Sequence, residues 1–182
     1  MKNLKLFITV LGVFLLTACA TRLTKPQGPA LPPKVPFDAF QKVVLYPITI
    51  NPEFADSSPN IDAQTKMNEY LVSLLRVTFS DKEYVIADED YVVSASDKRT
   101  LVLSPRIKEI KYINTAARIF AGAMAGGTAV LMDVKFEDAT NDVVLSQPEF
   151  YADASAWSGW GADNKVLNRV IEDINHYTKL NR

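Results

Sequence analysis

The clearest alternation of apolar and polar residues runs from Thr128 to Glu137. Val130, Met132, Val134 and Phe136 share one side, and Asp133, Lys135 and Glu137 share the other, so the stretch predicts a strand with one buried face. Ala139–Asp142 reads as a turn, and Val143–Ala154 returns as a partner strand with Pro148 inside it, which predicts a hairpin. Leu101–Tyr112 reads as a longer strand. Its apolar phase runs through Leu101, Leu103 and Ile107, then slips to Ile110 and Tyr112, the mark of a β-bulge. Lys42–Ile50 is β-branched and aromatic and reads as a strand, with Pro47 pointing to an edge position or a bulge. A short strand is expected at Tyr84–Ala87, followed by the acidic turn Asp88–Asp90 and a short element near Tyr91–Ser94.

Two segments carry helical periodicity. In Asp62–Phe79, Met67, Leu71, Leu74, Leu75 and Thr78 recur at three and four, with Asn60 or Asp62 as cap. In Ala162–Lys179, Val166, Val170 and Ile174 form one row beside Leu167, Ile171 and Tyr177. The resulting fold class is α+β: a mostly antiparallel four- to five-stranded sheet with two amphipathic helices packed on one face.

The first 18 residues follow a different rule. Lys2 and Lys5 precede an uncharged run of eleven residues, Leu6–Leu16, apolar but for Thr9. That length suits a secretory signal and falls short of the ~20 residues a membrane span needs. The run ends in Leu16-Thr17-Ala18-Cys19, and Cys19 is the only cysteine in the chain. The tetrapeptide resembles the lipobox of bacterial lipoproteins, in which small residues enter a signal peptidase groove and the thiol accepts a diacylglyceryl group. The resemblance implies cleavage before Cys19 and acyl chains, such as palmitate, on the new N-terminus. Each buried CH₂ contributes ~0.8 kcal/mol, so two or three chains anchor stably where one is marginal. Ala20 in place of Asp after the cysteine implies, by the enterobacterial sorting rule, delivery to the outer membrane with the domain facing the periplasm.

Residues 1–18 are thus read as signal peptide, 19–36 as lipidated cysteine and linker, and 37–182 as one periplasmic domain. The linker holds five prolines between Ala20 and Pro36. As extended polyproline II, seventeen residues at ~3.1 Å each reach about 50 Å, enough to hold the domain clear of headgroups. Packing of this segment as irregular coil on the domain is the alternative.

Composition then narrows the functional classes. The formal charge is −1, and loss of Lys2 and Lys5 with the signal lowers it by two, which argues against a nucleic-acid partner. With the one cysteine acylated, the domain has no disulfide and rests on its core. The single histidine, His176, lies near the C-terminal end of the last helix, where a cation suits the helix dipole. No Cys/His nucleophile or zinc site can be built, no G-x-S-x-G occurs, and no metal or cofactor is expected. The acidic groups Asp88-Glu89-Asp90 and Glu137-Asp138 with Asp142 read as solvated turns, without the spacing of an EF-hand.

Two segments stand out. Ala116–Ala129 is almost wholly small or apolar. Its first reading is structural, with glycines permitting close backbone approach. The second is an interaction surface centred on Gly122, Gly126 and Gly127. As a helix, Ile119–Met132 covers only ~21 Å, less than the ~30 Å of a bilayer core. A phosphate loop is the third reading, weakened by the missing lysine and the strand that follows. Trp157-Ser-Gly-Trp160-Gly161 is the other segment, which closes the core or anchors a partner through Trp157 and Trp160.

The Pro-rich linker after a lipobox, the early βα unit, the Ala-Arg-x-x-x-Gly stretch and the Asp138-Ala-Thr-Asn-Asp142 turn resemble a group of proteobacterial lipoproteins with an uncharacterised α/β domain of unknown function. Asn141 stands where that group often has glycine, and asparagine also accepts positive φ. The resemblance implies an envelope domain and no activity. The expected function is a non-enzymatic, lipid-anchored interaction or assembly module, held to the membrane through Cys19 and meeting an envelope protein. The alternative is a binder of lipid or another apolar ligand. A hydrolase built on acidic residues is the weakest of the three.

Overall fold

The computed structural model describes residues 23, 25–26, 28–88, 90–93, 98–114, 119–120, 126–155 and 161–182. Its strands are β1 (Lys42–Leu45), β2 (Thr49–Ile50), β3 (Glu83–Ile86), β4 (Thr100–Lys111), β5 (Thr128–Asp138), β6 (Val143–Ser146) and β7 (Glu149–Ala154). The described helices are α1 (Pro52–Ala55), α2 (Ser58–Thr78) and α3 (Ala162–Leu180).

The sheet has seven strands and is mixed, which corrects the expected antiparallel sheet of four or five. The order is β3-β1-β4-β5-β6, with β2 beside β4 and β7 beside β5. β1 runs parallel to both β3 and β4, and β2 runs parallel to β4. The reason is connectivity. Helix α2 carries the chain from β2 back to β3, and residues 88–99 carry it back again before β4 begins, so all three strands start from one end. Only β4–β5 and the β5 pairings with β6 and β7 are antiparallel.

Local chemistry sets the breaks. Pro47 sits between β1 and β2, where the chain passes from two neighbouring strands to one, since β2 pairs with β4 alone. The register against β4 slips by one residue there, between Leu45–Leu103 and Thr49–Arg106. Pro148 likewise divides the returning strand into β6 and β7, since proline has no N–H for the ladder. The bulge expected in β4 is present, with the register shifting between Ile107 and Glu109. α2 begins earlier than its apolar pattern, after Ser57 with Pro59 in the first turn, so Asn60 and Asp62 are not its caps. Buried Asn60 instead donates to Phe54 O (3.1 Å) and accepts from Tyr112 N–H (3.2 Å).

Both long helices cover one sheet face. Met67, Leu71 and Leu75 of α2 and Val166, Val170 and Ile174 of α3 join Leu103, Ile107, Met132 and Phe136 in one buried cluster. Phe37 stacks on Phe136 with ring centroids 4.7 Å apart, and Tyr177 packs beside both. Removal of such side chains from water gives about 25 cal/mol per Å². The buried Thr78 hydroxyl donates to Asn175 Oδ1 (2.6 Å) and fixes α2 against α3.

Candidate functional site

The other sheet face is apolar around Val44, Ala87 and Val102 and charged farther along β4 and β5. Arg106 on β4 stands directly opposite Asp133 on β5 and forks onto it, with Nε–Oδ1 and Nη2–Oδ2 both 3.1 Å. Gln147 also donates to Asp133, and Lys108 pairs with Glu149. The carboxylate beside it raises the pKa of Arg106 above its ordinary value. Arg106, Asp133 and Gln147, with Tyr46 and Lys135, floor an open cleft of about 410 Å³. Every carboxylate here is matched to a cation or an amide, so the cluster reads as a charge ladder that solvates an exposed sheet face.

The acidic turn after β5 is also tied up. Asp138 accepts from the backbone N–H groups of Thr140 and Asn141, from Asn141 Nδ2, and from Arg99 Nε (2.9 Å) and Nη2 (2.7 Å). Burial pushes the carboxyl upward, but the bonds from Asn141 and Arg99 outweigh it and hold Asp138 below the ordinary carboxylate range. The positive φ of this turn falls on Asp142 (51°), not on Asn141. Among the described residues, no group of three or more His, Cys, Asp or Glu side chains is placed to hold a metal ion.

Two features lie at the sheet edges. The first is that the proline-rich segment lies along the β6–β7 edge. Lys25 bridges to Asp153 (3.4 Å) and sits over the Tyr151 ring. Farther on, Tyr177 donates to Leu31 O (2.8 Å) and Lys34 N–H to Leu145 O (3.2 Å). This is the packed alternative, not a free spacer. An open cleft of about 580 Å³, lined by Pro29, Leu31 and Leu145 among others, lies between strap and strands.

The second is the opposite edge, β3. Glu83 N–H donates to Gln41 O (3.1 Å) and Ala87 N–H to Leu45 O (2.9 Å). In a parallel ladder alternate residues bond a given neighbour, so Tyr84 and Ile86 turn their N–H and C=O outward. Ile86 exposes an apolar side chain on this edge, and Arg76 of α2 lines the same open cleft as Tyr84 and Ile86. The Tyr84 hydroxyl is buried without a hydrogen-bond partner, and burial pushes its pKa up to about 12.

Gly126 and Gly127 fit the structural reading of their segment. Gly126 has φ +84°, and a Cβ on Gly127 would lie 2.4 Å from Ala154 O. Gly122, Trp157, Trp160 and the sequence Leu16-Thr17-Ala18-Cys19 fall outside the described residues. His176 is exposed on α3. No described helix is long and apolar enough to cross a membrane.

With this geometry in place, the chain can be compared with solved structures. The PelC dodecamer from Paraburkholderia phytofirmans matches at TM-score 0.50 and 18% identity, over 84% of this chain and 94% of that one. The two share a fold. Looser likenesses include protein XCC0632 from Xanthomonas campestris, family DUF330, with TM-score 0.44, 10% identity and coverage of 85% and 89%. Lipoprotein GNA1162 from Neisseria meningitidis follows with TM-score 0.39, 11% identity and coverage of 74% and 98%. No family profile and no curated protein matches the chain.

Proposed function

We propose that this chain is a lipid-anchored module of the cell envelope, acylated on Cys19, facing the periplasm from the outer membrane, and acting by contact with other proteins rather than by catalysis. The observation that carries this reading is the outer edge of β3, which pairs with no further strand among the described residues. Outward N–H and C=O groups at Tyr84 and Ile86 are a template for a strand from another chain. The exposed Ile86 side chain adds apolar contact beside it. A partner of this kind needs a β-strand to pair with the edge, and another copy of the chain qualifies. PelC, which shares the fold, is a dodecamer.

A photo-reactive amino acid at Ile86 in intact cells tests this reading. It should give a discrete protein adduct, identified by mass spectrometry as the same chain or another envelope protein. Ile86→Pro, which removes the outward N–H, should weaken the adduct formed from a neighbouring probe at Arg76. Labelling of lipid alone would overturn the proposal. The cleft under the strap favours a second reading, binding of an apolar ligand against Leu31 and Leu145. Lipid retained on the chain in a native mass spectrum, beyond the covalent acyl mass, would support that reading.

A further inference from the structure

The strap places one end of the sheet next to the anchor. Lys25 touches Asp153 and Tyr151 near the end of β7, and Leu23 is 8% exposed, so the chain from Cys19 meets the domain there. Each residue spans at most ~3.6 Å, so the four steps from Cys19 to Leu23 reach about 14 Å. That tether cannot lift this end far from the bilayer.

The same end carries the connection between β4 and β5. Asp153 pairs with Ala129, and Ala129 in turn pairs with Lys111, the last residue of β4. The chain therefore leaves and rejoins the sheet beside the strap's first contact. Within this connection Phe120 is 90% exposed and Ile119 57% exposed, an adjacent apolar pair with its faces open. Lys25, Lys66 and Lys111 stand at this end too, with Lys66 over the Tyr112 ring. Cations around an apolar tip suit the phosphate layer of a membrane surface.

We infer that Ile119 and Phe120 dip into the same bilayer that holds Cys19, making a second, non-covalent contact that fixes the orientation of the domain. This rests on acylation of Cys19. In that orientation the far end of the sheet, some ~35 Å away along the eleven residues of β5, points into the periplasm.

The test uses the full, acylated chain, in which the Cys19 thiol is blocked as a thioether. Phe120→Cys and, separately, Ile119→Cys give one free thiol for an environment-sensitive fluorophore. Ser80→Cys, exposed near the far end, is the reference. In phosphatidylethanolamine/phosphatidylglycerol vesicles carrying acyl-chain nitroxides, labels at 119 and 120 should be quenched at least threefold more than the label at 80. Equal quenching at all three sites, on a chain that floats with the vesicles and carries acyl mass, would overturn the insertion and leave the anchor standing. A chain with no acyl mass that stays off the vesicles would overturn both.

Discussion

Lys34 donates its backbone N–H to the carbonyl of Leu145 at 3.2 Å, and this bond makes the proline-rich segment an outer partner of β6. Its ammonium reaches Val144 O as well (3.1 Å). The Lys34–Val35 peptide is therefore held against the domain, and trypsin should cut it slowly. Tyr177→Phe removes the hydrogen bond to Leu31 O, worth about 1 kcal/mol. Cleavage after Lys34 should then accelerate about fivefold in a time course under native conditions, with the folded domain otherwise intact. Equal rates in both proteins would show that the strap is not held by this bond.

Gly127 is tight against β7. Gly127→Ala places a methyl group 2.4 Å from Ala154 O, and the strands must part to admit it. Overpacking of this kind costs about 1–3 kcal/mol. The urea midpoint should fall accordingly, and a neutral result would remove the structural explanation for this glycine.

Asp138 couples stability to acid. Its folded pKa lies below the ordinary 3.8, so its contribution is complete above pH 3.8 and is lost as pH falls through the lower, folded value. Asp138→Asn should cost about 1–2 kcal/mol at neutral pH and flatten the acid limb of the stability profile. Parallel acid limbs for the two proteins would contradict the assignment.

Tyr84 works in the opposite direction. Its folded pKa of about 12 exceeds the ordinary 10, so stability is kept below pH 10 and declines as pH rises from 10 to 12. Tyr84→Phe should shrink that alkaline decline, leaving the part owed to Tyr70 and Tyr177, whose pKa values are also raised. At neutral pH it should be neutral or stabilising by about 1 kcal/mol, because the deleted hydroxyl has no partner. Chemical denaturation across this range is the check, and a large loss at neutral pH would reveal a hidden bond.

The legible part of the fold was the part where one face is buried and the other wet. β5 alternates cleanly, and the phase slip in β4 located its bulge because a period of two admits no other explanation. Strand direction was not legible. A buried strand such as β1 shows the same residues whether its neighbours run parallel or antiparallel, whereas Pro47 did mark the place where the register against β4 slips and the strand keeps one neighbour only. Docking of the strap was only the alternative reading of the proline-rich segment, because backbone groups at Leu31 and Lys34, not a side-chain pattern, hold it. Of the candidate surface residues, Gly126 and Gly127 have packing roles that their Gly-Gly spacing already hinted at. The β3 edge had no sequence signal at all, since an unpaired N–H belongs to topology.

The account stands on the chemistry of residue 19, and an intact mass of the chain purified from its own membranes tests it most directly. The expected result is a polypeptide beginning at Cys19 and heavier than its sequence by a diacylglyceryl group, with or without a third acyl chain. A mature chain that begins at any other residue, or one whose mass matches bare polypeptide, would contradict it.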